Sequence, residues 1–184
     1  SIYQQILGAD PDQPEALHLL GVIAHQRGDH ERSVDLIEKA LTLKPDYAAA
    51  YNNLGYALKE LGRLDDAASR FEKALSLRPQ FAEAHNNLGL TLIEQGKVEQ
   101  AIESYKKALS IKQDSAEAHN NIGIAFKTLG QINQSVNSYQ KALSIKPEFA
   151  EAHNNLGTSL KDLGRFDEAV ASCKKALALK PDFV

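Results

Sequence analysis

The sequence contains no methionine and no tryptophan, and its single cysteine is Cys173. One cysteine excludes an internal disulfide and gives no sign of an oxidising compartment, so a cytoplasmic location is favoured. No stretch approaches the ~18 consecutive apolar residues of a membrane-spanning helix. No signal-peptide core opens the chain either, so we expect no membrane partner. The missing initiator methionine indicates a fragment or a processed chain.

An excess of positive charge is also absent. The 184 residues include 21 Lys and Arg against 24 Asp and Glu, which gives a formal net charge of −3. This balance disfavours a nucleic-acid-binding protein, because such domains are usually strongly basic. With 43% hydrophobic and 24% charged residues, the composition is that of a folded chain rather than a disordered one.

What the sequence does contain is an internal repeat. Pairs of asparagine begin at residues 52, 86, 120 and 154, a constant step of 34, and three columns of small residues follow the same step. The columns are Gly21, Gly55, Gly89, Gly123 and Gly157; Gly28, Gly62, Gly96, Gly130 and Gly164; and Ala40, Ala74, Ala108, Ala142 and Ala176. The period predicts five repeats over 14–47, 48–81, 82–115, 116–149 and 150–183, after a partial repeat over 1–13.

Each repeat shows the pattern of two helices joined by a turn. In the third repeat, one apolar stripe at helical spacing runs from Ala84 to Leu92 and a second from Val98 to Leu109. Gly96 between them predicts the left-handed residue that ends a helix. Prolines at 45, 79, 147 and 181 predict the ends of the second helices, but Gln113 stands at that position in the third repeat. Without any strand-like alternation, the sequence predicts an all-α fold in which stacked helix pairs bury one core.

This pattern resembles the tetratricopeptide repeat (TPR). In the second repeat the signature residues are Tyr51, Leu54, Gly55, Leu58, Ala67, Phe71, Ala74 and Pro79. The departures from the signature affect packing only: His85, His119 and His153 replace its first aromatic residue, Ser33 and Ser135 replace an alanine, and Ile37 and Cys173 replace its second aromatic residue. The resemblance implies a right-handed α-solenoid of five helix–turn–helix repeats plus the partial repeat, in which the first helices line a concave groove.

The asparagine pairs are the main candidate for a binding site. Asn53, Asn87, Asn121 and Asn155 lie beside the apolar stripe of the first helices, so in a TPR fold they would form a ladder along the groove. A primary amide both donates and accepts hydrogen bonds, which suits the backbone of an extended peptide. The ladder resembles that of O-GlcNAc transferases, and it should stop at Leu19. The alternative is that these amides satisfy neighbouring backbone groups or face water.

The preceding residue of each pair forms a second candidate column. Asn52, Asn86, Asn120 and Asn154 are turned about 100° from the first column on an α-helix. They would contact the peptide or make hydrogen bonds between repeats.

Charged and apolar residues complete the candidate peptide-binding set, namely Tyr56, Lys59, Glu83, Leu90, Glu94, Lys127 and Lys161. Together with Glu15, Glu60, Glu117, Glu151 and Asp162, the groove positions carry seven acidic and three basic residues. A mildly acidic groove favours basic or neutral segments, mainly through faster association; the alternative is a merely solvated face. The Lys, Asn and Arg of the clamp that holds chaperone carboxylates in some TPR domains do not converge here.

The sequence gives no catalytic or metal-binding constellation. Residues one repeat apart lie roughly 10 Å apart in a helical stack, so His85, His119 and His153 cannot share a zinc ion. His18, His25 and His30 lack a cysteine or carboxylate to complete a site. Cys173 reads as a small core residue, and the glycines are singly spaced, unlike a phosphate-binding loop. We therefore expect no cofactor and no enzymatic activity.

These observations favour a protein–protein interaction scaffold that binds an extended peptide or a partner protein in its groove. One alternative is the substrate-selecting arm of a larger glycosyltransferase-type enzyme, because the segments 3–7 and 17–21 resemble the start of bacterial arms of that kind. Another is a structural module that associates end to end through an uncapped C-terminal helix.

Overall fold

The computed structural model describes residues 12–181, and they form ten α-helices without a strand. The helices are α1 (Pro14–Gln26), α2 (His30–Leu43), α3 (Ala48–Glu60), α4 (Leu64–Leu77), α5 (Ala82–Glu94), α6 (Val98–Ile111), α7 (Ala116–Thr128), α8 (Ile132–Ile145), α9 (Ala150–Asp162) and α10 (Phe166–Leu179). The all-α prediction is confirmed. The partial repeat predicted over 1–13 lies almost entirely outside the described residues.

The chain divides into two compact units between Gln95 and Gly96. In the first unit α1 pairs with α2, α3 pairs with α4, and α5 packs on α4. In the second unit α6 packs on α7, α7 pairs with α8, and α9 pairs with α10. Within each unit a helix contacts only its nearest and next-nearest neighbours along the chain. This is the local packing of a helical-repeat solenoid.

A glycine in the left-handed backbone conformation follows the first helix of each pair. The φ angles of Gly28, Gly62, Gly96, Gly130 and Gly164 lie between 71° and 81°. An L-amino acid in place of glycine would cost roughly 1–2 kcal/mol in this conformation. The turn predicted at Gly96 is confirmed.

The other two small-residue columns permit a close approach of the paired helices. A Cβ atom built on Gly55 would lie 2.8 Å from a ring carbon of Phe71, and one on Gly123 would lie 2.6 Å from the ring of Tyr139. The alanine column from Ala40 to Ala176 is at most 3% exposed. Since no side chain larger than hydrogen fits between the glycine and the ring, each pair is packed to contact.

The second helices end at the same position with or without a proline. In the second unit, α6 ends at Ile111 before Gln113, and α8 ends at Ile145 before Pro147. His119 Nε2 lies 3.1 Å from the Gln113 carbonyl oxygen, and His153 Nε2 lies 2.9 Å from that of Pro147. The same contact joins His85 to Pro79 in the first unit at 3.0 Å. The histidine column therefore fastens the chain to the next first helix.

None of the helices within residues 12–181 combines the length and the hydropathy that crossing a bilayer requires.

Candidate binding surface

The asparagine pairs lie on the first helices, and their amides bond to one another between consecutive repeats. Asn87 on α5 donates from Nδ2 to Asn52 Oδ1 on α3 at 3.1 Å. In the second unit, Asn155 on α9 makes the same bond to Asn120 on α7, also at 3.1 Å. We call the surface that these helices form within each unit the first-helix face.

Two residues of the accepting column, Asn52 and Asn120, are deeply buried. Asn52 is 2% exposed and Asn120 is 1% exposed. Their own amide groups reach forward to the first turn of the next first helix: Asn52 Nδ2 lies 3.3 Å from Glu83 Oε1, and Asn120 Nδ2 lies 3.5 Å from Glu151 Oε1. Asn52 and Asn120 therefore make hydrogen bonds between repeats, one of the two roles that the sequence left open for this column, and contact with a peptide stays a prediction.

The remaining asparagines differ in accessibility. Asn53, Asn121 and Asn155 are partly exposed, as are Asn86 and Asn154, whereas Asn87 is only 9% exposed. Asn86 and Asn121 each interact with another residue as well. Contact between these residues and a peptide stays a prediction.

His18 extends the hydrogen bonds between repeats into the first repeat, where Leu19 stands in the asparagine column predicted to bind a peptide. Asn53 Nδ2 lies 2.8 Å from His18 Nε2, and His18 Nδ1 lies 3.0 Å from the Tyr47 hydroxyl. His18 holds the position that Asn52 holds one repeat later. The 34-residue period already aligned His18 with Asn52, but the change from asparagine to histidine hid the shared role.

The surroundings of His18 favour the neutral form of its ring. Burial lowers its pKa, and the nearby Glu15 carboxylate opposes that shift. Because an amide nitrogen can only donate, His18 Nε2 must accept from Asn53, and Nδ1 then carries the proton toward Tyr47.

Lysines on the first-helix face are tied to acidic or polar groups of the next repeat. Lys59 Nζ lies 2.9 Å from Glu94 Oε1. Burial acts to lower the pKa of Lys59, but the hydrogen bond and charge of Glu94 outweigh it and raise the pKa. Lys127 Nζ lies 2.8 Å from Thr158 Oγ1 and 3.4 Å from Asp162 Oδ2. Lys161 is exposed at the end of α9.

The face carries less net negative charge than the sequence count predicted. Lys44, at the end of α2, lies 2.6 Å from Glu15, and Lys146, at the end of α8, lies 3.9 Å from Glu117. These lysines follow second helices and were left out of the count of groove positions. The turn after each second helix brings them back beside the preceding first helix.

Exposed apolar area on this face is concentrated at Tyr56, which is 39% exposed and stacks against His25 at 4.8 Å between ring centroids. Leu19 is 36% exposed, and Leu90 is partly buried. Within residues 12–181, no three potential ligands from His, Cys, Asp and Glu come together as a metal site. Cys173 is partly buried.

Comparisons with known proteins agree with this architecture. A family profile described as TPR repeat matches residues 23–62, 55–96, 91–130 and 125–164, and a profile described as Tetratricopeptide repeat matches residues 150–183. The helix pairs define a helical-repeat protein. With these matches over most of its length, the chain belongs to the tetratricopeptide repeat family.

Solved structures of TPR proteins share the fold. The crystal structure of MamA is 27% identical with a TM-score of 0.80, over 88% of this chain and 94% of that one. YrrB, described as "a TPR protein with an unusual peptide-binding site", is 19% identical with a TM-score of 0.77, over 100% and 94%. PilF of Pseudomonas aeruginosa is 21% identical with a TM-score of 0.86, over 98% and 82%. No curated protein matches the sequence significantly.

Proposed function

We propose that this TPR protein is a non-catalytic scaffold that binds an extended peptide, or an extended segment of a partner protein, along the first-helix face. The observation that carries the proposal is the hydrogen-bond ladder. It holds the partly exposed amides of Asn53 and Asn155 in fixed orientations, one in each unit.

The ladder favours binding because it orders the amides in advance. Each primary amide has two N–H groups and an oxygen with two lone pairs, and the bond to the preceding repeat uses one N–H. The side chains lose little further freedom when a peptide binds, which lowers the entropic cost of association.

The spacing of first helices suits an extended chain. Packed helices lie roughly 10 Å apart, and an extended peptide advances about 3.3 Å per residue. One amide therefore meets about every third residue of the peptide. Because Glu15 and Glu117 are paired with lysines, we expect neutral or weakly basic peptides to bind.

The test is a double substitution, Asn53→Ala with Asn155→Ala, assayed on peptides selected with the wild-type chain from a phage-displayed library of random ten-residue peptides. Loss of one amide contact in each unit should weaken peptide binding at that unit by roughly 0.5–1.5 kcal/mol. The matched control is Asn133→Ala with Asn137→Ala, which removes two exposed asparagines from the second helix α8.

Isothermal titration calorimetry measures the affinities, and circular dichroism checks that both variants stay folded. Equal affinity of the Asn53/Asn155 variant and the wild type would refute the proposal. So would a larger loss in the control, which would place the peptide on the second helices.

A further inference from the structure

The first repeat has an isoleucine where the next three repeats have an aromatic ring. Phe71, Tyr105 and Tyr139 are at most 1% exposed, and Ile37 is their equivalent. Phe71 packs on Gly55 of its paired helix, and Ile37 packs on Gly21 in the same way. Since isoleucine has less volume than phenylalanine or tyrosine, this position leaves space unfilled.

A cavity of about 40 Å³ lies beside Ile37. It is lined by Val22, His25, Ser33, Ile37, Asn53 and Tyr56. One water needs about 10–15 Å³ measured in this way, so the cavity accommodates a group larger than a single water.

The cavity belongs to the first-helix face of the first unit. Four of its lining residues are on α1 and α3, and among them Asn53 and Tyr56 are accessible to solvent. The other two, Ser33 and Ile37 on α2, are 0% exposed and form the floor. A peptide held by the amide of Asn53 would therefore pass over the mouth of the cavity.

The floor contains a hydroxyl group with an unused hydrogen bond. Ser33 Oγ is buried and has no hydrogen-bond partner. Its equivalent in the fourth repeat, Ser135, bonds to the carbonyl oxygen of Ile132 at 2.9 Å and to Ser159 Oγ at 3.0 Å. Ala57 stands where a partner equivalent to Ser159 would be in the second repeat. An unsatisfied buried hydroxyl is costly, so a ligand that supplies a partner is favoured.

The walls are apolar or uncharged. Val22 and Ile37 provide the apolar surface. Burial lowers the pKa of His25, the neighbouring His30 lowers it further, and Glu60 opposes the shift. The Nδ1 atoms of His25 and His30 lie 3.1 Å apart, within hydrogen-bond distance. A charged side chain would lose its hydration in this cavity without gaining a partner of opposite charge.

We propose that the cavity beside Ile37 is a specificity pocket for one small uncharged side chain of the bound peptide, with threonine preferred over valine. The methyl group would contact Val22 and Ile37, and the hydroxyl group would bond to Ser33. The inference rests on the proposed function, because the amide ladder is what brings a peptide to the pocket.

Ile37→Phe tests the pocket directly, because it gives the first repeat the ring that the second repeat already packs on the equivalent glycine. Ile145→Phe is the matched control, since Ile145 is 38% exposed in the other unit. The probes are the N-acetyl methylamides of threonine, valine and phenylalanine, titrated to their solubility limits. The readout is the ¹³C-methyl NMR signal of Val22, which both variants retain.

Saturable shifts of the Val22 methyl groups are expected with the threonine probe, weaker ones with the valine probe and none with the phenylalanine probe. Ile37→Phe should abolish them, and Ile145→Phe should not. Ser33→Ala, which installs the residue that other repeats carry, should reduce threonine binding to the level of valine. Absence of shifts in the wild type, or equal shifts in Ile37→Phe, would overturn the proposal and leave the cavity to ordered water.

Phage-selected peptides separate this result from the proposed function. Peptides that contain threonine should bind Ile37→Phe about tenfold more weakly, the value of burying one small side chain. Equal affinities for Ile37→Phe and the wild type would overturn the pocket while the scaffold function stands. If the Asn53/Asn155 substitution leaves peptide binding unchanged, the scaffold proposal fails, and the assignment of the pocket to a peptide fails with it.

Discussion

At the position of His18, a charged ring would lose a hydrogen bond that a neutral ring makes. Protonation adds an N–H at Nε2, the atom that accepts from Asn53. Its ordinary pKa is near 6.5, and burial lowers the pKa in the folded chain despite Glu15. Because the unfolded chain then binds a proton first as the pH falls, this contribution to stability is complete above about pH 6.5 and is lost at lower pH. Burial lowers the pKa of His119 too, with the same sign.

We therefore expect the free energy of unfolding to decrease from about pH 7 to about pH 5, and His18→Asn to reduce that dependence. Asparagine is the residue that later repeats carry here, and its Oδ1 can accept from Asn53 at every pH. Urea unfolding at a series of pH values measures the effect. An unchanged pH dependence in the variant would show that His18 does not supply it.

The buried asparagines allow a second test at the scale of single residues. Asn52→Ala removes the acceptor of Asn87, a residue only 9% exposed, so we expect a loss of roughly 1–3 kcal/mol in stability. Asn154→Ala changes the same column at a partly exposed site and should cost less than about 0.5 kcal/mol. Denaturant unfolding measures the stability of both variants, and a double-mutant cycle with Asn87→Ala gives the coupling energy between Asn52 and Asn87. Equal losses of stability in Asn52→Ala and Asn154→Ala would contradict the ladder.

Helix pairs are held together by contacts that tolerate no added atom. A Cβ atom at Gly123 would lie 2.6 Å from the Tyr139 ring, so Gly123→Ala should cost about 1–3 kcal/mol. Combined with Tyr139→Ala, the loss should be smaller than the sum of the two, because the overlap is relieved.

Gly130→Ala is the control for this prediction. Nothing lies within 4 Å of its Cβ position, and its φ is +71°. It should therefore cost about 1–2 kcal/mol from the backbone alone and add to Tyr139→Ala without coupling. Thermal unfolding of the single variants and of each combined with Tyr139→Ala checks both predictions. If the losses of Gly123→Ala and Tyr139→Ala simply add, a steric cause is contradicted.

Helices, turns and close-packed columns were predictable from the sequence, because each depends on periodicity within one repeat. Side-chain partners were harder to predict. The bond of His18 to Asn53 joins two repeats, and that of Lys44 to Glu15 joins the two ends of one repeat. Both depend on how the turn after a second helix returns the chain. The cavity at Ile37 arises because isoleucine is smaller than the aromatic residues at the equivalent positions. A sequence pattern records only that one apolar residue replaces another.

At the scale of the molecule, α10 presents apolar side chains that other repeats cover. Phe166 is 64% exposed, Val170 53% and Leu177 48%, whereas Val136, the equivalent of Val170 one repeat earlier, is 3% exposed. Contiguous apolar surface of this kind favours association. We expect copies of the chain to associate through this face, by a heterologous contact that does not close into a symmetric dimer.

Light scattering from micromolar to near-millimolar protein should show a mass that rises with concentration. Val170→Lys with Leu177→Lys should keep the chain monomeric throughout that range. Lys174→Ala with Lys175→Ala, on the same helix, is the control that leaves the apolar residues in place. A constant monomer mass for the wild type would end this expectation.

The bonds between repeats share one further property, which is their reach along the chain. Glu83 and Asn52 are 31 residues apart, and Asn87 and Asn52 are 35 apart, so each bond ties a repeat to the next one only. Because each repeat contacts only its neighbours, folding of such an array can begin at many positions along the chain. They also mean that unequal recombination of the gene could remove or duplicate one 34-residue unit and restore partners of the same kind at every new junction. The length of this protein is therefore free to evolve in whole repeats, while its first-helix face grows or shrinks in proportion.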